Sequence, residues 1–340
     1  MPPLVKRLAA KACRPFSYFL TLHQLKATEG AGLICPVYHI CRSTRPHWWG
    51  DRYRIKTVAE LQADLELLAS IGSFISIEEM LDYRHGRRPR PQGIFLSFDD
   101  GYRELYDEIA PLLQKLGIPA TFFVISSLID NANPFHEDIA GAIRFRLSKS
   151  TKATQNQAVE LCLTENKDLN TILQLRTPDW PLLEKLCEVV EFDTREWLAA
   201  EQPYLTTAQL RNLAKSGFEV GAHSVDHPLF SEIDGASRST QVSSSAAAIT
   251  MSTGKPCRSF AFPYGEFGIS QHSLELLVLK SGVDLFFGTR GVTFDEFEPN
   301  LIQRMLAEDH PESFRQHIHH ELRLQLHRTW LGRATVHRKQ

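Results

Sequence analysis

Apolar and polar positions along the chain follow a recurring rhythm. A stretch with apolar residues at helical spacing closes on a glycine, and a short β-type run follows at once. LLASIG precedes SFIS (67–76), LLQKLG precedes IPATFFV (112–124), LAKSG precedes FEVGAH (213–223), and LVLKSG precedes VDLFFG, which ends at residue 288. Glycine is favoured just past a helix because it enters the left-handed conformation without a Cβ clash. Helices alternating with short β-rich runs predict a parallel sheet with crossover helices.

Local signals sharpen this outline. Thr57 with Glu60 makes a capping box, and Val58, Leu61, Leu65 and Leu68 continue it as an apolar helical face. After Gly101, the residues Leu105, Ile109, Leu112 and Leu116 repeat that spacing. GIFLSF (93–98) and ATFFV (120–124) are nearly continuous apolar runs, which suit strands buried on both faces. The rhythm breaks between about residues 130 and 205, a polar, helix-leaning stretch containing TKATQNQ and WPLLEKLCEVV. It reads as a helical insertion between two core strands, either a lid over a site or a passive decoration. Residues 1–32 read as a basic helical extension, and 311–340 as a basic helix whose Phe314, Ile318, Leu322, Leu326 and Trp330 form a docking stripe. The body of the protein is then 33–310.

Composition is that of an ordinary globular chain: 340 residues, 43% apolar, 23% charged, net charge -2. The near-zero charge gives no electrostatic case for a nucleic-acid partner. No apolar run approaches the roughly eighteen residues needed to span a bilayer. Lys11 and Arg14 interrupt what would be the apolar core of a signal peptide. The expected location is therefore cytoplasmic, with peripheral membrane contact through the N-terminal helix as a variant. The six cysteines form no C-x-x-C pair and read as reduced, buried thiols. The fourteen histidines are the unusual count.

Three segments bear chemistry. In LSFDDGY (96–102), Asp99 and Asp100 fall at the end of a buried strand, and Gly101 permits the turn that follows. Ligands of parallel α/β folds bind at the carboxyl ends of strands. Alone, the pair also reads as a helix N-cap with a charged neighbour. In GAHSVDHP (221–228), His223 ends a β-run and His227 follows four residues later, with Pro228 arguing against a helix. Two histidines and a carboxylate make a common divalent-metal site with open positions. FAFPYG (260–265) ends another β-run in a sharp loop. Tyr264 could offer a backbone N–H there as an oxyanion donor, or the loop could be a plain turn.

Together, in this order, the segments resemble the NodB-type polysaccharide deacetylase family, carbohydrate esterase family 4. SFDDG (97–101), the His223, Ser224 and His227 set, and PYG (263–265) match its first three motifs, and PVYHI (36–40) looks like the first strand of a bacterial subgroup with a Y-H-x-I/V segment. The resemblance spans roughly residues 33 to 310. It implies an α/β fold, a distorted (β/α)7-type barrel with the helical insertion, holding a divalent metal, most often Zn2+. It implies Asp100, His223 and His227 as metal ligands, Asp99 as catalytic base and Tyr264 as oxyanion donor, with Pro263 in the substrate loop. The implied reaction removes N-acetyl groups from an N-acetylated carbohydrate.

Two departures stand out. The family often places an arginine two residues before the motif proline, where this chain has Ala261. Arg258 would face the other way, and Arg304 in LIQRML (301–306) is the candidate replacement that orients the base. The family's late L-x-H segment, source of the general acid, has no clear counterpart. His39 and His310 are the candidates by strand-end position, and His136 is a marginal third histidine of interest. Trp48 and Trp49 are expected either as a sugar-stacking platform for substrate or as a buried loop anchor. The competing readings are a catalytically silent glycan binder and a two-histidine, one-carboxylate iron oxygenase, the latter usually built on an antiparallel barrel.

Overall fold

The computed structural model describes residues 19–28, 32–44, 46–49, 52, 54–308 and 313–338. Most of the N-terminal extension, and His310, lie outside them. Eight strand segments form one parallel sheet: β1 (Pro36–Tyr38), β2 (Ser97–Phe98), β3 (Thr121–Val124), β4 (Glu219–Ala222), β5 (Ser259–Ala261), β6 (Leu285–Gly288), β7 (Leu301–Gln303) and β8 (Met305–Leu306). Every neighbouring pair is parallel, and β7 and β8 stand at opposite edges of the order. They are separated in the chain by Arg304 alone. The last strand therefore pairs with β6 through its first half and with β1 through its second, closing the sheet into a barrel. Arg304 sits at the break, its N–H on Gly288 O while the next N–H, of Met305, reaches Cys35 O. The fold has the parallel strands and crossover helices expected from the alternating rhythm and the barrel closure implied by the resemblance, and its parallel strands leave no place for the antiparallel barrel of the oxygenase reading.

Alternation along the strands sorts the core into layers. Phe123, Ala261, Phe287 and Ile302 share one buried cluster with Leu33, Cys35 and Phe95. Their neighbours Phe122, Phe260, Phe286 and Leu301 pack outward on the helices in a second, larger cluster. Gly221 is required by this packing, since a Cβ there would stand 2.6 Å from the Phe123 ring and from Ser259 Oγ.

The helices follow their sequence signals, with two adjustments. Val58–Ile71 carries the Thr57 and Glu60 capping box, and Leu61, Leu65 and Leu68 are buried. Its closing Gly72 is extended (φ -177°) rather than left-handed. A Cβ there would lie 2.0 Å from Lys26 Nζ, which donates to Ile71 O, so only the end of that lysine would have to move. After Gly101 the helical stretch buries Leu105, Ile109, Ala110 and Leu113. A wide turn, with Ala110 N–H bonded to Leu105 O, rotates the face away from Leu116, which is exposed.

Between β3 and the helix Thr207–Lys215 that leads into β4 lie the helices His136–Lys149, Lys152–Thr164, Trp180–Val189 and Thr194–Glu201. They have their own apolar core, in which Ile139, Ile143, Leu183, Leu186 and Trp197 pack around Trp48 and Trp49. The helix Phe314–Trp330 docks through Phe314, Ile318, Leu322 and Leu326. Among the described residues no helix is long and apolar enough to cross a membrane. Five of the cysteines are described, and all are free and buried.

Candidate active site

The carboxyl ends of the strands converge on one cavity of about 220 Å³. His39 follows β1, Asp99 and Asp100 follow β2, His223 follows β4, Phe262 and Tyr264 follow β5, Thr289 follows β6, and Glu308 follows β8; all line the cavity with His227, Arg52, Glu137 and Leu306. Four of the residues that form or support it, Asp100, Ser224, His227 and Tyr264, hold left-handed backbone conformations (φ 71°, 66°, 60° and 56°) without being glycine. Such strain persists only where the surroundings over-determine it, and it gathers at functional sites. The bend at Asp100 continues through Gly101 (φ 87°), where a Cβ would meet Val124 at 2.8 Å.

Asp100, His223 and His227 form a group compact enough to hold a metal ion. Asp100 Oδ1 lies 3.6 Å from Nε2 of both histidines. This oxygen is buried and has no hydrogen-bond partner. Burial pushes the Asp100 carboxyl up to about 7, with Glu137 and Asp99 adding repulsion. Burial lowers His223 to about 4 and His227 well below its usual range. Both imidazoles are thus neutral, the form that ligates metal. His223 Nδ1 bonds Ala261 O at 2.8 Å, which leaves Nε2 free to face Asp100. A buried, unpartnered carboxylate oxygen between two neutral imidazole nitrogens fits a divalent cation.

Asp99 is handled differently. Arg304, fully buried, reaches it with two parallel bonds, Nη1 to Oδ1 at 2.7 Å and Nη2 to Oδ2 at 2.8 Å. Burial works against the Asp99 charge, but the Arg304 guanidinium outweighs it and holds the carboxyl below the usual range. Adjacent carboxylates are thereby pushed apart, one ionised and one raised, a pattern that assigns different roles. The guanidinium also caps the rings of Phe123 and Phe287, at 5.2 and 6.0 Å. Arg258 instead binds Glu78 and Glu219, away from the cavity.

His39 meets Glu308. Nδ1 lies 2.9 Å from Glu308 Oε2, and the His39 backbone N–H donates to Oε1 at 2.8 Å. Burial disfavours the imidazolium, yet the bond and charge of Glu308 prevail and raise His39 to about 9.

The insertion enters the same cavity. At the start of His136–Lys149, Glu137 Oε2 accepts from Arg52 Nη2 at 2.5 Å and Oε1 accepts from the Tyr264 hydroxyl at 2.5 Å. Asp138, fully buried, takes the other arm of Arg52 and the hydroxyls of Tyr102 and Tyr204, at 2.8 and 2.7 Å. His136 Nε2 is 3.2 Å from Tyr264 Oη.

Thus Asp99, Asp100, His223, His227, Tyr264, Arg304 and His39 are brought together. Two expectations need correction. Trp48 and Trp49 are 1% and 0% exposed and pack on Tyr102, with Trp48 also on Trp197, so no ring face is open for a pyranose. They anchor the insertion to the barrel. Pro263 is buried, and the cavity wall passes from Phe262 to Tyr264. Sequence reasoning missed Glu308, which the strand-end rule that found Asp99 would have flagged. Arg52 and Glu137 carry no local signal, because they reach the cavity only through long-range ion pairing.

A family model described as Polysaccharide deacetylase matches residues 86–277, more than half of the chain. A poly-beta-1,6-N-acetyl-D-glucosamine N-deacetylase of Staphylococcus epidermidis is 31% identical over 81 residues, covering 24% of this chain and 28% of that protein. The chain thus matches little more than a quarter of that relative's length. Among solved structures, IcaB from Ammonifex degensii has a TM-score of 0.54 at 19% identity, over 84% of this chain and 95% of that one. The Streptococcus pyogenes deacetylase PplD, in complex with acetate, has a TM-score of 0.55 at 14% identity, over 85% and 97%. At such identities the structural likeness speaks for the barrel.

Proposed function

The chain belongs to the polysaccharide deacetylase family, and on that premise we propose that it is a metal-dependent hydrolase that removes acetyl groups from an N-acetylated sugar. The observation that carries this reading is the pairing of two unlike aspartates. Asp100 turns a buried, unpartnered oxygen toward two neutral imidazoles, while Asp99 beside it is kept ionised by Arg304. A divalent ion held by Asp100, His223 and His227, with zinc best suited to this donor set, would polarise the acetamide carbonyl and lower the pKa of a water.

The protein's own groups then divide the work. Asp99 takes the proton of the attacking water as a new C–O bond forms. Arg304 keeps that carboxylate charged and aimed. The backbone N–H of Tyr264 donates to the oxyanion. His39, held protonated by Glu308, gives its proton to the departing nitrogen as the C–N bond breaks. The products are acetate and a free amine.

The test is acetate release from a panel of N-acetylated oligosaccharides, with elemental analysis of the same protein. Asp99→Asn should abolish release and retain the metal. Full activity in metal-free protein would overturn the reading.

A further inference from the structure

The two histidines of the metal site are supported in different ways. His223 gives its Nδ1 to a strand carbonyl, Ala261 O. His227 Nδ1 is buried and has no hydrogen-bond partner. When the Nε2 of an imidazole serves as ligand, its proton resides on Nδ1, and that N–H needs an acceptor to fix ring and tautomer. The carboxylate oxygen facing it is Glu137 Oε1, 3.9 Å away. The same oxygen accepts the Tyr264 hydroxyl. The Tyr264 ring in turn meets the His227 ring edge-on at 4.5 Å and carries Arg176 of the insertion on its face at 4.2 Å.

We propose that Glu137 is a positioning residue, through which the insertion orients both the metal ligand His227 and the oxyanion-donor loop at Tyr264. Three features make this role specific. Its second oxygen is clamped by Arg52, so the carboxylate is fixed rather than free to turn toward solvent. It stands in the first turn of His136–Lys149, where the helix dipole favours negative charge. Both residues it serves have left-handed backbones, which need external support to persist. His136, Glu137 and His227 also lie close enough to hold an ion. Tyr264 Oη bonds both Glu137 and His136, however, and this marks the group as outer support rather than a second metal site. The insertion is then neither a detachable lid nor a decoration, because the metal site is incomplete without its first helical turn.

The inference rests on the metal reading above, and the experiment separates the two. Zinc affinity is measured by competition with a chromophoric chelator for the full chain, Glu137→Ala, Glu137→Gln and Tyr264→Phe. Thermal unfolding of each metal-free protein is recorded alongside. The full chain should take up one zinc per chain. Glu137→Ala should bind it 10- to 100-fold more weakly. Glu137→Gln, of the same shape and with an amide oxygen that still accepts, should lose less. Tyr264→Phe, which leaves the carboxylate in place, should stay within a few-fold of the unaltered protein. Unchanged zinc affinity in Glu137→Ala overturns the inference, as does uptake of two zinc ions per chain. Absence of zinc binding by the unaltered chain would instead defeat the metal site itself.

Discussion

Replacing Arg304 by methionine probes the centre of the site. Arg304 is fully buried and Asp99 is 3% exposed, so the substitution leaves a buried carboxylate without the cation that compensates it. Breaking a buried pair in this way costs about 3–5 kcal/mol. The protein can reduce that cost by protonating Asp99. With the guanidinium gone, burial is left to raise the Asp99 pKa, so Arg304→Met should shift this carboxyl toward its neutral form, which cannot act as general base. The expected loss in acetate release is about 10²- to 10⁴-fold. In the unaltered protein Asp99 lies below its unfolded value, so its stabilising contribution is present above pH 3.8 and fades as pH falls through the folded pKa. In the variant the folded pKa lies above the unfolded one, so the penalty is absent at acid pH and grows as pH rises. Urea unfolding of the metal-free proteins should thus show a gap that widens from pH 4 to pH 7. Adding Asp99→Asn to Arg304→Met should recover most of it. A stability loss independent of pH, with the acid limb of the rate profile unmoved, would mean that Arg304 contributes packing alone.

Other perturbations address the remaining groups. Glu308→Gln removes the partner that raises His39 to about 9, so the alkaline limb of acetate release should move down toward the ordinary histidine range. The stabilisation from this pair is complete below pH 6.5 and is lost as pH rises through about 9, so unfolding curves of the two proteins should differ at pH 6 and converge at pH 10. Chelation should abolish acetate release and added zinc restore it; zinc at one hundred times its dissociation constant should stabilise the fold by about 2.7 kcal/mol, and should not do so in Asp100→Ala. Trp49→Ala should destabilise the protein by about 3–5 kcal/mol in urea unfolding and also lower kcat/KM, because the ring anchors the insertion and carries Arg52, the residue that clamps Glu137.

Much of this was legible in the linear chain. The helix–glycine–strand rhythm encoded a parallel sheet because crossover helices are what join parallel strands. The chemistry-bearing residues were legible for a related reason: in such a fold the carboxyl ends of all strands point one way. Asp99, Asp100, His223 and Tyr264 could therefore be assigned to one face before any distance was known. His39 belonged to the same face, yet nothing in PVYHI disclosed that its partner is Glu308, 269 residues later.

What the amino-acid sequence determined alone was local: the capping boxes, the apolar faces, the breaks at glycine, and the motifs at strand ends. Tertiary structure decided which of those ends face one another and with what charge. Barrel closure at Arg304 delivers its guanidinium to Asp99, 205 residues earlier in the chain. Docking of the insertion on Trp48 and Trp49 turns a polar helical stretch into the source of Glu137. Both depend on burial and ion pairing between distant segments. These forces set how each carboxylate and imidazole is charged, and residue order does not reveal them.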